Sequence, residues 1–128
     1  MYDLNLLNKE EKDLLSNWEG VYKKGLLSLW ILLSLNNKEM SMSEIKDFIN
    51  DITDDYLLVD DNSIYRSLRK FYTLEIVDFA MKPNSKGPDI KIYKLSKSGE
   101  KILKAFIQRN IISIYYKDKI NLLFKGNI

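Results

Sequence analysis

The chain has 128 residues, enough for one domain with a modest core plus an appended element, and its 20 Lys/Arg and 18 Asp/Glu leave a formal net charge of only +2. It contains neither cysteine nor histidine, which removes disulfides, thiolate nucleophiles, the commonest zinc ligands and any side chain with an unperturbed pKa near 7. No spaced Asp, Lys, Tyr or Ser constellation takes their place, so the sequence reads as a non-enzyme that needs no cofactor.

The charge is unevenly spread. Residues 1–61 carry 6 basic and 13 acidic side chains, residues 62–97 carry 8 and 3, and residues 98–128 carry 6 and 2, giving −7, +5 and +4. Such asymmetry suits a molecule with one face toward phosphates and another kept away from them.

In chain order, Asn8-Lys9-Glu10-Glu11 fits a capping box, in which the first residue caps the helix and the fourth reaches back to it. Leu7, Leu14, Leu15 and Trp18 follow at helical spacing up to Gly20, which predicts a short amphipathic helix over 1–20. Its apolar stripe packs either on its own domain or on a second subunit.

Residues 22–35 are apolar on almost every side, with Leu26, Leu29, Trp30, Leu32 and Leu33, as in a helix covered from more than one direction. The apolar run over 26–35 is interrupted by Ser28 and Ser34 and is far shorter than the ~20 residues of a membrane span. It also lies behind an acidic segment, unlike a signal peptide, so a cytoplasmic protein without a membrane partner is expected. Asn36-Asn37-Lys38 ends this helix.

Ser41-Met42-Ser43-Glu44 is a second capping box, opening a helix through Ile45, Phe48, Ile49 and Ile52. The acidic link that follows contains Asp54, Asp55, Asp60 and Asp61. It lacks the alternation, Gly and distal Glu of a calcium loop, so these acids are read as helix ends and caps and no metal site is assigned.

Residues 62–73 place Ile64, Leu68 and Phe71 on one inward stripe. Asn62, Arg66, Arg69 and Thr73 fall on the opposite face, flanked by Ser63, Tyr65 and Lys70. Arg pairs bidentately with guanine in a major groove, so this face is the candidate for reading DNA. Two β-prone runs, 76–81 and 90–95, then flank the turn formers of 82–89, predicting a hairpin whose loop is too long for a tight turn. Lys82, Lys86 and Lys91 make that hairpin basic. Ser96-Lys97-Ser98-Gly99-Glu100 offers N-caps for a last long helix. Helix, helix, hairpin and helix in this order make a winged helix-turn-helix, mostly α with a small antiparallel wing.

The last segment carries Leu103, Ile107, Ile111, Ile114 and Tyr115 on one stripe, flanked by Ile102 and Phe106. So much apolar surface after a complete core predicts a homodimer formed through this helix, with Leu103, Phe106, Ile107, Ile111, Ile114 and Tyr115 at the interface. A kink or a short extra helix is expected at Lys117-Asp118-Lys119. The division is therefore 1–20 N-terminal helix, 21–98 winged helix-turn-helix and 99–128 dimerisation helix.

These motifs resemble the PadR family of transcriptional regulators. Ser63-Ile64-Tyr65 is similar to its Thr-Leu-Tyr at the start of the recognition helix. Gly87-Pro88 through Ile92-Tyr93-Lys94-Leu95-Ser96-Lys97-Ser98-Gly99 is similar to its Gly-Pro-x-x-x-Tyr-Tyr-x-Leu-Thr-x-x-Gly, and Lys24-Gly25-Leu26-Leu27 to its first helix. The similarity covers roughly residues 24 to 110. Two places depart from the pattern: Met42-Ser43 stands where the family has Gly-Tyr, and Phe71-Tyr72-Thr73-Leu74-Glu75 where it has Leu-Glu-x-x-Gly. The missing Gly predicts that the turn into the hairpin is built differently. The resemblance implies a dimeric repressor of double-stranded DNA. It also implies a site for a small aromatic effector at the dimer interface, for which Trp18, Trp30, Phe106 and Tyr115 are candidates. The competing expectation is a winged-helix module that binds another protein and no specific DNA.

Overall fold

A computed structural model describes residues 2–126. After a single 3-10 turn at Leu4–Leu6, helix α1 (Lys9–Asn37) is followed by α2 (Met42–Ile52) and α3 (Asp61–Thr73). Strands β1 (Val77–Asn84) and β2 (Gly87–Leu95) form the hairpin, and α4 (Lys97–Ile107) leads into the C-terminal segment. Among the described residues no helix is long and apolar enough to cross a membrane.

Both capping boxes form as the sequence predicts. Asn8 Oδ1 accepts the Glu11 N–H at 2.8 Å while Glu11 accepts the Asn8 N–H, and Ser41 and Glu44 repeat the exchange. Gly20, however, does not end the first helix: α1 runs unbroken for 29 residues. A Gly inside a helix costs only about 1 kcal/mol relative to Ala. The apolar positions on its two sides stay in phase, Leu14, Trp18 and Val21 continuing the line of Leu29 and Leu32, so the periodicity carries the helix through.

The core gathers Ile31, Leu32 and Leu35 of α1, Ile45 and Ile49 of α2, the Ile64–Leu68–Phe71 stripe of α3, Val77, Tyr93 and Leu95 of the wing, and Leu103 of α4. Each such side chain contributes about 1.5–3 kcal/mol through burial. Ser34 is buried among them, its hydroxyl donating to the Ile31 carbonyl at 2.6 Å. Met40 and Tyr93 exchange two backbone hydrogen bonds, 3.0 and 2.8 Å, which fastens the α1–α2 link to the inner edge of the wing.

The hairpin is tighter than expected. Its register runs from Val77 opposite Leu95 to Asn84 opposite Gly87, so only Ser85 and Lys86 lie between the strands. Pro83 sits inside β1 at a register shift between Lys82 and Asn84, the kind of position where a strand tolerates a residue without an N–H. The turn formers of 82–89 do not make one continuous loop, because a bulge absorbs the proline.

The last helix is also not one piece. Beyond Ile107 the backbone takes a π-helical path over Gln108–Ile112, then one turn as α5 (Ser113–Tyr115), before α6 (Asp118–Lys125). The break at Tyr116 and Lys117 falls where the interruption of the apolar stripe predicted a kink.

Candidate nucleic-acid interface

The candidate surface is set by how α3 begins and ends. At its start Asp60 is the N-cap: Oδ1 accepts the Ser63 N–H at 2.8 Å and Oδ2 accepts the Ser63 hydroxyl at 2.9 Å. These two bonds, the backbone one foremost, hold the exposed Asp60 carboxyl below the usual carboxylate range. Ser63, assigned from the sequence to bases or phosphates, thus spends its hydroxyl proton on the cap. Asp61 is held by Lys46 of α2 at 3.0 Å, which ties the two helices together at this end.

The exit from α3 solves the problem of the absent glycine. The Ile76 N–H donates to the Phe71 carbonyl at 2.9 Å and the Glu75 N–H to that of Tyr72 at 3.0 Å, the bond pair of a Schellman motif. Glu75 takes the left-handed residue of that motif, φ 62°. Helix α2 ends alike: Asp54 has φ 49°, and the Asp55 N–H reaches the Asn50 carbonyl at 2.8 Å. The acidic link is accounted for by these caps, and among the described residues no acidic cluster fit for a metal ion is found.

Between these ends, Ile64, Leu68 and Phe71 face the core while Asn62, Tyr65, Arg66, Arg69, Lys70 and Thr73 are exposed. Among the described residues the ion pairs are Lys46–Asp61 and Lys82–Glu39, so neither Arg66 nor Arg69 is locked in an ion pair, although the charge of Arg66 helps to hold the Asp60 carboxyl low. The Thr73 hydroxyl turns back to the Arg69 carbonyl at 3.0 Å.

The wing is oriented against α3 by aromatic contacts. Tyr72 meets Phe79 at 4.9 Å between ring centroids, and Phe79 meets Tyr93 at 5.8 Å. Burial raises the Tyr93 hydroxyl above its ordinary pKa. Lys91 lies over the Phe79 ring at 4.6 Å, a cation–π contact. Lys82 pairs with Glu39 at 3.6 Å, and Lys86 occupies the hairpin tip. Of the three wing lysines predicted to grip a backbone, only Lys86 has neither contact.

Tyr65, Lys91 and Tyr93 come together with Ser41, Met42 and Ser43 at the start of α2, and with Asn84 and Ile90 of the wing, around an open groove of about 500 Å³. Nothing in the sequence marked Ser43, Asn84 and Ile90 as sharing a surface with Tyr65; only the folding of the wing onto α2 brings them beside it. The Met42-Ser43 departure from the family pattern therefore falls inside the candidate surface.

The aromatic set and the dimer set are distributed otherwise. Trp18 lines a shallow groove with Leu15, Glu19 and Tyr22, and Phe106 lines another with Gly25, Leu29, Leu32 and Ile102. Trp30 packs against the core, and Tyr115 stacks on Phe124 at 6.2 Å. One chain thus does not unite these four in a shared cavity. Of the dimer set, Leu103 is taken up by the chain's own core at 3% exposure and Ile107 packs beside it, whereas Phe106, Ile114 and Tyr115 remain exposed and Ile111 half-buried.

No protein-family model matches the sequence, and no curated protein matches it. Solved structures do. A PadR-like transcriptional regulator from Bacillus cereus shares 26% identity, with 78% of this chain and 93% of that one aligned at a TM-score of 0.64. A PadR family transcriptional regulator from Eggerthella lenta aligns over 94% of this chain and 100% of its own at a TM-score of 0.72 and 15% identity. Bacillus subtilis PadR, solved in complex with operator DNA, aligns over 66% of this chain at a TM-score of 0.61 and 22% identity; the aligned part is 48% of that longer protein. The chain has the winged helix-turn-helix fold of PadR structures, and these structural neighbours are transcriptional regulators.

Proposed function

We propose that the chain is a homodimeric, sequence-specific DNA-binding transcriptional regulator of the cytoplasm, acting as a repressor on a pseudo-palindromic operator. The observation that carries this reading is α3 itself: a helix locked at both ends, packed by one stripe, and presenting Arg66 and Arg69 outside any ion pair among the described residues. In a major groove these two would address base edges. Asn62, Tyr65 and Lys70, with Thr73 at the far end, would meet bases or phosphates, while Ser63, its hydroxyl proton given to Asp60, would accept from a base amino group.

The wing would lie on the flanking backbone, Lys86 reaching furthest and Lys82 and Lys91 adding charge at its base. A related protein caught on its operator supports the docking mode. A homodimer supplies two such helices for two half-sites one helical turn apart, about 34–36 Å. Footprinting on DNA flanking its own gene tests this. Two protected patches spaced by one turn, lost when Arg66 and Arg69 become Ala, are expected; uniform protection without sequence preference would contradict it.

A further inference from the structure

The charge of the wing is partly cancelled by a residue outside it. Over residues 77–95 four lysines stand against two aspartates, a balance of +2. Glu39, in the link between α1 and α2, pairs with Lys82 at 3.6 Å, which removes half of that excess. Lys91 is held differently. It lies over the Phe79 ring at 4.6 Å, and an aromatic face attracts an ammonium without neutralising it.

The two partners of the ion pair differ in freedom. Glu39 is presented by backbone anchored on both sides, since the Lys38 N–H donates to the Ser34 carbonyl at 3.4 Å and Met40 exchanges its two bonds with Tyr93. Lys82 stands at the register shift of β1 and carries its charge on a flexible four-carbon stem. Both side chains are about half exposed, and an exposed pair contributes little to folding. Such a pair comes apart readily when a second anion is offered, and the lysine is the partner that can move. Two residues beyond Glu39, Ser41 lines the groove that Tyr65, Asn84 and Lys91 share. The carboxylate thus stands beside the surface assigned to DNA.

We propose that Glu39 competes with DNA phosphate for Lys82 and so lowers the sequence-independent part of the binding. This rests on the DNA binding of the proposed function and deepens it. Lys82 meets the backbone only by leaving Glu39, and the loss of that pair is subtracted from the affinity for every duplex alike. Phosphate contacts supply non-specific binding, while base contacts supply the preference between sequences. The pair therefore weakens the hold on any DNA and leaves the ratio between operator and other sequences as α3 sets it.

Anisotropy titrations of Glu39→Gln, Lys82→Ala and the double variant test the competition, each on a duplex from upstream of the chain's own gene and on a scrambled one, at about 50 and 200 mM salt. Glu39→Gln should bind both duplexes about two- to fivefold more tightly at the lower salt, the worth of one exposed pair. The gain should shrink at the higher salt, and the ratio between the two duplexes should not change. In the Lys82→Ala background the same substitution should bring no gain, whereas a carboxylate that merely repelled phosphates through space would still bring one. Thermal melts check that all three variants keep the fold. Wild-type affinity in Glu39→Gln, or an equal gain with and without Lys82, overturns the competition while DNA binding stands. A wild-type chain that binds neither duplex at the lower salt overturns both.

Discussion

Gly99, in the first turn of α4, lies against the Ile76 carbonyl so closely that a Cβ at this position would clash with the oxygen. The contact is part of a small knot. Ser96 Oγ lies 2.7 Å from the Glu75 carbonyl oxygen and 3.1 Å from that of Ile76, and accepts the Gly99 N–H at 3.0 Å. One serine thus caps α4 and fastens it to the hinge between α3 and the wing. The Leu-Ser-x-x-Gly spacing has a physical cause: Ser for the cap and Gly for the approach.

Gly99→Ala should therefore push α4 off this hinge. Overpacking of this kind costs about 1–3 kcal/mol, and because the obstacle is backbone the upper half of that range is expected in urea unfolding. An unchanged midpoint would show that α4 can shift freely.

Glu75 should respond in the opposite sense. A non-Gly residue in the left-handed region costs about 1–2 kcal/mol, while Gly adds about 0.5–1 kcal/mol of chain entropy to lose on folding. Glu75→Gly, at φ 62°, is expected to stabilise the fold by about 0.5–1 kcal/mol, and Glu75→Asn by less. Thermal melts of the three proteins check the order.

The Asp60 cap predicts an acid limb. Its carboxyl is more acidic in the folded chain than its ordinary value of 3.8 because Ser63 donates to it, so the unfolded chain binds the proton more readily. The stabilisation is fully present above that ordinary value and drains away as pH falls through the lower folded one. Asp60→Asn keeps a capping oxygen but cannot titrate. Its melting temperature should fall less steeply below about pH 4 than that of the parent, and parallel curves for the two proteins would contradict the assignment.

What the sequence made legible was whatever repeats or caps. Ile64, Leu68 and Phe71 declared the buried side of α3, and with it the exposed side carrying Arg66 and Arg69. Asn8 and Glu11, Ser41 and Glu44, and Ser96 marked three helix starts correctly. What stayed hidden depends on single residues in tertiary context. Gly20 is tolerated because its neighbours stay in phase, Pro83 because a bulge receives it, and Glu75 because two backbone bonds hold it left-handed. That Ser63 also donates its hydroxyl proton to the Asp60 cap had no mark in the sequence. The single Met40–Tyr93 bridge has no period at all, yet it brings α2 and the wing together around Tyr65.

The direct test of the central claim is fluorescence anisotropy of a labelled duplex from upstream of the chain's own gene, titrated with wild type and with Arg66→Ala/Arg69→Ala beside a scrambled duplex. Loss of a good bidentate pair costs about 1–3 kcal/mol of base discrimination, so the double substitution should abolish the preference for the native duplex and leave a weak, salt-sensitive binding equal on both. Equal binding of native and scrambled duplexes by the wild type, indifferent to the substitution, would contradict sequence reading by α3 and direct the search to a protein partner.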